Sequence, residues 1–220
     1  FITVLNTVIM PRIANEHKQG NKDKINDLIV RSAKTALFLS FPMAFGIAAV
    51  AAGFIPWYLG KDFLPVIGAL YCLCPIIVSN SLEGISGKQY FTATNQISIL
   101  TIAYTSTALL NIILNFILIP KFNFYGAAIA TLLCSYLSVG IQLIVMRRQI
   151  NLKPLLIPFL KYGLMGIGMF VVVFVCTQHL EVSILKTIIQ VCVGCIGYAG
   201  VALCIKDEVL GKILWEKSVV

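Results

Sequence analysis

Residues able to act as bases, nucleophiles or metal ligands are few in this chain, and their spacing keeps them apart. The two histidines, His17 and His179, fall in polar connections at opposite ends of membrane-thick apolar stretches, so neither can pair with a carboxylate beside the other. Cys192 and Cys195 have the spacing of half a metal site, yet no second pair and no histidine nearby completes four ligands. Cys72, Cys74, Cys134, Cys176 and Cys204 also lie in apolar stretches, where cysteine packs as a small, soft residue. No glycine loop with phosphate-binding spacing occurs. An enzyme is therefore not expected, and neither is a cofactor or metal. What the residue types do offer is recognition. Arg12, Arg31, Lys34 and Lys88 can attract an anion, although the first three also serve simply to orient a membrane protein. Lys88 is the least explained by orientation, because the segment Glu83–Tyr90 around it is otherwise hardly charged. Thr101, Thr105, Ser106, Thr107, Asn111 and Asn115 form a polar stripe, with Asn111 and Asn115 four apart on one helical face. Such a stripe either lines a pathway or bonds a neighbouring helix.

These side chains are carried by six apolar stretches, near Ala36–Gly60, Phe63–Leu82, Ile97–Ile119, Tyr125–Met146, Leu155–Gln178 and Thr187–Ile205. Each approaches the roughly 20 residues that a helix needs to cross hydrocarbon. Hydrophobic residues make up 59% of the chain and charged residues 12%, with mean hydropathy +0.91. Water cannot be the main solvent, and without strand-like alternation the stretches must be helices, which satisfy their own backbone groups. The fold class expected is all-α, a polytopic transmembrane helical bundle. Of the 17 Lys and Arg residues, 14 fall on one side of the spans, and only Lys61, Lys121 and Lys186 on the other. That alternation is the positive-inside pattern and makes the basic side cytoplasmic. The net charge of +8 therefore does not indicate nucleic acid, since no loop interleaves bases with aromatics.

Phe1–Met10 is apolar but too short to span, and the chain starts without Met, so a longer protein is expected. Pro11 is expected to end that segment, because proline cannot continue the hydrogen-bond ladder. Gly20 and Asn21 mark a turn, with Asn21 the expected N-cap of an amphipathic helix that runs into the first full span. Pro42 and Pro75 should bend their spans, as hinges or as packing features. Gly194, Gly197 and Gly200 should dock the last span on a neighbour, while the β-branched run Val171–Val175 suits lipid. No low-complexity linker divides the chain, which reads as one membrane domain with a basic cytoplasmic tail at 206–220. Glu83 is placed at the foot of the second span.

Three marks then coincide. Val8-Ile9-Met10-Pro11-Arg12-Ile13-Ala14 precedes a lysine-rich helix; Gly87-Lys88-Gln89-Tyr90-Phe91 follows the second span; and Leu110–Pro120 leads, through Asn115 and Pro120, to Tyr125-Gly126-Ala127-Ala128. Together they resemble the O-antigen and capsule type polysaccharide flippases of the multidrug/oligosaccharidyl-lipid/polysaccharide exporter superfamily. The resemblance implies a two-lobe transporter of which this chain is the C-terminal lobe, residues 1–150, plus two trailing helices, 151–205. It implies that an undecaprenyl-diphosphate-linked oligosaccharide passes from the inner to the outer leaflet by alternating access. Arg12, Arg31, Lys34, Lys88, Asn111 and Asn115 are then the substrate-binding candidates. Membrane lipid is a partner, and the polysaccharide polymerase and glycosyltransferases of the same pathway are implied partners. A cation-coupled multidrug exporter of the same superfamily is the alternative. A membrane glycosyltransferase or polymerase would want large outer loops with acids or histidines, and the outer connections here are short.

Overall fold

Backbone groups in hydrocarbon must find partners within their own segment, and among the described residues every span is helical. The structure is a computed structural model that describes residues 2–181 and 183–215, with side chains over 6–181 and 183–211. Six helical segments are long and apolar enough to cross a membrane, and no strand occurs among the described residues. The all-α bundle expected from the sequence is borne out.

Helix α1 spans Ile2–Lys18 and runs straight through Pro11, which corrects the expected stop there. The residue two beyond, Ile13, is fully buried among Ile25, Ile29, Tyr90 and Phe91. Burying such a side chain contributes about 1.5–3 kcal/mol, enough to hold the helix together across one missing donor. The chain turns at Gly20, whose φ of 74° is a left-handed conformation that glycine adopts without strain. Asn21 precedes the next helix but does not cap it; its Nδ2 donates instead to Glu16 Oε2 at 2.7 Å.

Helix α2, Lys22–Tyr58, fuses the expected amphipathic helix and first span into 37 residues. Pro42 sits inside it. Its ring nitrogen leaves the Phe38 carbonyl without an intrahelical donor, and the Tyr198 hydroxyl supplies one at 2.8 Å.

A short 3₁₀ turn, Lys61–Phe63, leads into α3, Leu64–Leu73, and then α4, Ile76–Glu83. The break between them falls at Pro75, where a bend was expected, and the Tyr136 hydroxyl donates to the Pro75 carbonyl at 2.9 Å. Beyond α4 the chain does not leave the helix. Gly84–Phe91 winds on as a π-helical turn, so the expected connection Glu83–Tyr90 belongs to the span itself. Glu83 is thereby moved from the foot of the helix to about 10 Å inside it.

Helices α5, Ile97–Phe122, and α6, Phe124–Met146, form a tight hairpin at Asn123. After a 3₁₀ turn at Lys153–Leu155 come α7, Leu156–Thr177, and α8, Ile184–Cys204. The expected tail opens with a short helix α9, Glu208–Trp215, while residues 216–220, with Glu216 and Lys217, lie outside the described residues.

Two cores hold the bundle. One joins α2, α4, α7 and α8 through Leu37, Phe38, Phe41, Val78, Tyr162, Met169, Val173 and Tyr198. The other, at the basic end, gathers Ile13, Ile29, Ile85, Phe91, Leu100 and Met146. Of the glycine trio only Gly194 meets a neighbour, lying against Met169 and Val173, whereas Gly197 and Gly200 face open space. Docking of α8 thus rests on one glycine and on tyrosine and glutamine hydrogen bonds. Val171, Val172 and Val175 are exposed, as suits lipid, and Val173 turns inward.

Candidate functional site

Polar side chains collect where the second span widens. Nearly every residue of the π-helical turn is buried, and several of its side chains and that of the preceding Glu83 bond to other helices, while the buried Gln89 Oε1 has no partner. Gln89 Nε2 donates to Asn6 Oδ1 of α1 at 2.7 Å. The Ser86 hydroxyl donates to Gln142 Oε1 of α6 at 2.7 Å, and Gln142 Nε2 donates on to Ser138 Oγ at 3.3 Å. The Tyr104 hydroxyl of α5 donates to Glu83 Oε1 at 2.8 Å. At the rim, the Tyr90 hydroxyl donates to Gln149 Oε1 at 2.8 Å, and Gln149 exchanges amide hydrogen bonds with Gln96. Gly87 permits this convergence, since a side chain there would meet Tyr104 Oη at 3.1 Å and Gln142 Oε1 at 3.3 Å. Helices tend to adopt π winding at functional sites. Lys88 stands out from the network: it is exposed and, among the described residues, makes no ion pair.

The other cations expected at the inner mouth are arranged differently. Arg12 lines a small polar cleft of about 270 Å³ with Asn15, Glu16, Lys24, Asp27 and Leu28. Arg31 pairs with Asp27 at 2.8 Å, and Lys34 with Glu208 at 2.9 Å. Asn111 and Asn115 bond each other, Asn115 Nδ2 donating to Asn111 Oδ1 at 2.9 Å. They sit about 21 and 27 Å along α5 from its basic end, so the structure does not bring them beside Lys88. The hydroxyls of Thr101, Ser106 and Thr107 donate to carbonyls of their own helix, Ile97 for the first and Ala103 for the other two.

A joint at the basic end clamps α7 and α9 together. Asp207 is 4% exposed; Lys161 Nζ pairs with its Oδ2, the Tyr162 hydroxyl lies 3.1 Å from the same oxygen, and the Val209 amide donates to Oδ1 at 2.9 Å. Burial alone would raise the carboxyl pKa. The Lys161 ammonium, the Val209 amide and the Tyr162 hydroxyl outweigh it and hold the pKa below the ordinary aspartate value.

Between α2 and α8 lies an apolar groove of about 780 Å³. It follows α2 from Phe38 to Phe54, about 24 Å by the helical rise, with α7 supplying Met169 and Val173 and α8 the wall from Thr187 to Ala199. Gln190 is its main polar feature. Its Nε2 donates to the Ala49 carbonyl and Thr177 Oγ1, while its buried Oε1 has no partner. The groove and the Glu83–Tyr104 contact were not predicted from sequence, because both depend on which helices meet. The five-residue spacing of Glu83 and Lys88 was visible, but no sequence rule marked that turn as π rather than α. No group of three or more His, Cys, Asp or Glu converges among the described residues.

Comparison with known proteins decides the family. The family described as lipid II flippase MurJ matches residues 1–191. The chain belongs to this family. It is a family of transporters, within the exporter superfamily that the sequence resembles, and its members are multi-pass proteins of the cell membrane. A probable low-salt glycan biosynthesis flippase, Agl15 of Haloferax volcanii, is 28% identical over 133 residues, covering 60% of this chain and 28% of that protein. A solved lipid II flippase MurJ in an inward closed conformation superposes with TM-score 0.72 at 21% identity, covering 100% of this chain and 44% of that one. That likeness shows the fold. The chain thus spans less than half the length of either relative.

Proposed function

We propose that this chain is the C-terminal part of a flippase that carries an undecaprenyl-diphosphate-linked oligosaccharide from the inner to the outer leaflet. The observation that carries the reading is the apolar groove between α2 and α8, about 24 Å long, in a chain of the lipid II flippase family. The physical problem is to move a diphosphate and sugars through hydrocarbon while a polyprenyl chain remains in apolar surroundings. A groove of most of a bilayer's thickness gives the chain a slide, and Lys88 at the basic end gives the diphosphate a cation. Residues 1–150 form the lobe, and 151–205 the pair of helices that wall the groove. Rocking of this lobe against a second one provides alternating access. A polymerase and glycosyltransferases of the same pathway supply and consume the cargo.

The test uses the full-length protein in proteoliposomes with a fluorescent lipid-linked oligosaccharide. Lys88→Ala should slow transfer about tenfold or more, the worth of one charge-assisted hydrogen bond, with normal insertion. Transfer at the wild-type rate would remove Lys88 from the site.

A further inference from the structure

Along Ser81–Phe91 nine of eleven residues are buried, and the two that are not are Glu83 and Lys88. On an α-helix, residues five apart diverge by about 140°. Here the hydrogen bonds close over five residues, as where the Thr92 amide donates to the Gly87 carbonyl at 3.0 Å, so residues five apart come much nearer to one face than on an α-helix. The π winding therefore sets a carboxylate and an ammonium on one open face. Among the described residues neither makes an ion pair, with the other or with anything else. Glu83 Oε1 is held by the Tyr104 hydroxyl, and Tyr104 is itself 39% exposed. The second carboxylate oxygen has no protein donor among the described residues. Glu83 and Lys88 lie within the helix Lys61–Phe91, which is long and apolar enough to cross a membrane, and ionisable groups in such helices mark pathways or ligand contacts.

We propose that Glu83 and Tyr104 form the subsite that reads the first sugar of the cargo, one helical turn from the ammonium of Lys88 that takes its diphosphate. The inference rests on the flippase reading and adds a specificity determinant to it. The free carboxylate oxygen accepts hydrogen bonds from sugar hydroxyls, which a bare lipid diphosphate does not have. The exposed Tyr104 ring offers an apolar body beside them, and its hydroxyl fixes the carboxylate's orientation. Gly87 gives the pair room, since a Cβ there would press on Tyr104 Oη at 3.1 Å and Gln142 Oε1 at 3.3 Å.

Binding of three probes to the full-length protein tests this: undecaprenyl diphosphate, and the same lipid carrying one glucose or one N-acetylglucosamine. Wild type should prefer at least one sugar-bearing probe. E83Q should erase about tenfold of that preference, the range for a hydrogen bond to a charged acceptor, without weakening affinity for the bare diphosphate, which the loss of a neighbouring negative charge can only favour. Lys88→Ala should weaken all three. If E83Q does not yield monodisperse protein, Tyr104→Phe should lower the same ratio, since it frees the carboxylate without removing it. Equal weakening of all three probes by E83Q, or a ratio unmoved by either variant, overturns the proposal. Wild type binding the three alike also overturns it while leaving the flippase reading intact; wild type binding none sinks that reading itself.

Discussion

Gly126→Ala probes the tightest glycine contact among the described residues. A Cβ at Gly126 would stand 2.3 Å from the Leu118 carbonyl oxygen, 2.5 Å from its carbon and 2.9 Å from the Ile119 nitrogen. All three are backbone atoms of α5, so no side chain can rotate away. Restoring ordinary contact requires α5 and α6 to part by about 1 Å at their outer turn, in an interior packed as densely as an organic crystal. Inserting one methylene into such a site costs about 1–3 kcal/mol when neighbours can adjust. With backbone as the obstacle the upper end applies, about 3 kcal/mol. For a folded unit of 220 residues that corresponds to a melting temperature lower by about 6–12 °C. Gly140→Ala, in the same helix with nothing within 4 Å, is the control. It should be neutral or raise stability by up to about 1 kcal/mol through helix propensity. The assay is the fraction of purified protein that stays monodisperse after heating in detergent. If Gly126→Ala survives to the same temperature as Gly140→Ala, the tight α5–α6 contact is not present and the reasoning fails.

The joint at Asp207 should be sensitive to acid. Its folded pKa is held below the ordinary value by Lys161, Val209 and Tyr162 against the effect of burial, so its stabilisation is complete above the unfolded value of about 3.9 and is lost as pH falls through the folded one. Thermal melts should therefore show Asp207→Asn destabilised at pH 7, with a smaller further loss below about pH 4 than wild type. Tyr198→Phe should cost about 1 kcal/mol by stranding the Phe38 carbonyl. In a Pro42→Ala background, where the helix regains its own donor, the same change should cost less, and a double-mutant cycle with no coupling would refute that link. Labelling from the two sides of sealed vesicles should place a cysteine at Gln149 with the basic face; reaction only from the opposite side would reverse the orientation.

The fold was legible because the six spans are a property of composition. A run of apolar residues must bury its backbone polar groups in a helix, and alternate clustering of basic residues declares which ends share a side. The resemblance around Asn115, Pro120 and Gly126 was also legible. Gly126 now has a physical reason, the approach of Leu118. Proline was read less well. Pro75 falls at a break, where a bend was expected, whereas Pro11 did not end its helix, since local propensity gave way to the burial of Ile13.

Residue types alone put Arg12, Arg31, Lys34 and Lys88 in one class of mouth cations, and Asn111 with Asn115 on one face. The tertiary structure sorted them: Arg31 and Lys34 are paired with Asp27 and Glu208, Lys88 stands open, and the asparagines lie farther along α5. It also turned Glu83 from a helix foot into a side chain within a continuous helix, five residues before Lys88 and held by the Tyr104 hydroxyl. Hydropathy is set residue by residue, so the number and sides of the spans could be read directly from the chain. Whether a turn closes over four residues or five, and which helices wall a groove, depends on contacts between residues distant in sequence, and these exist only once the helices have packed.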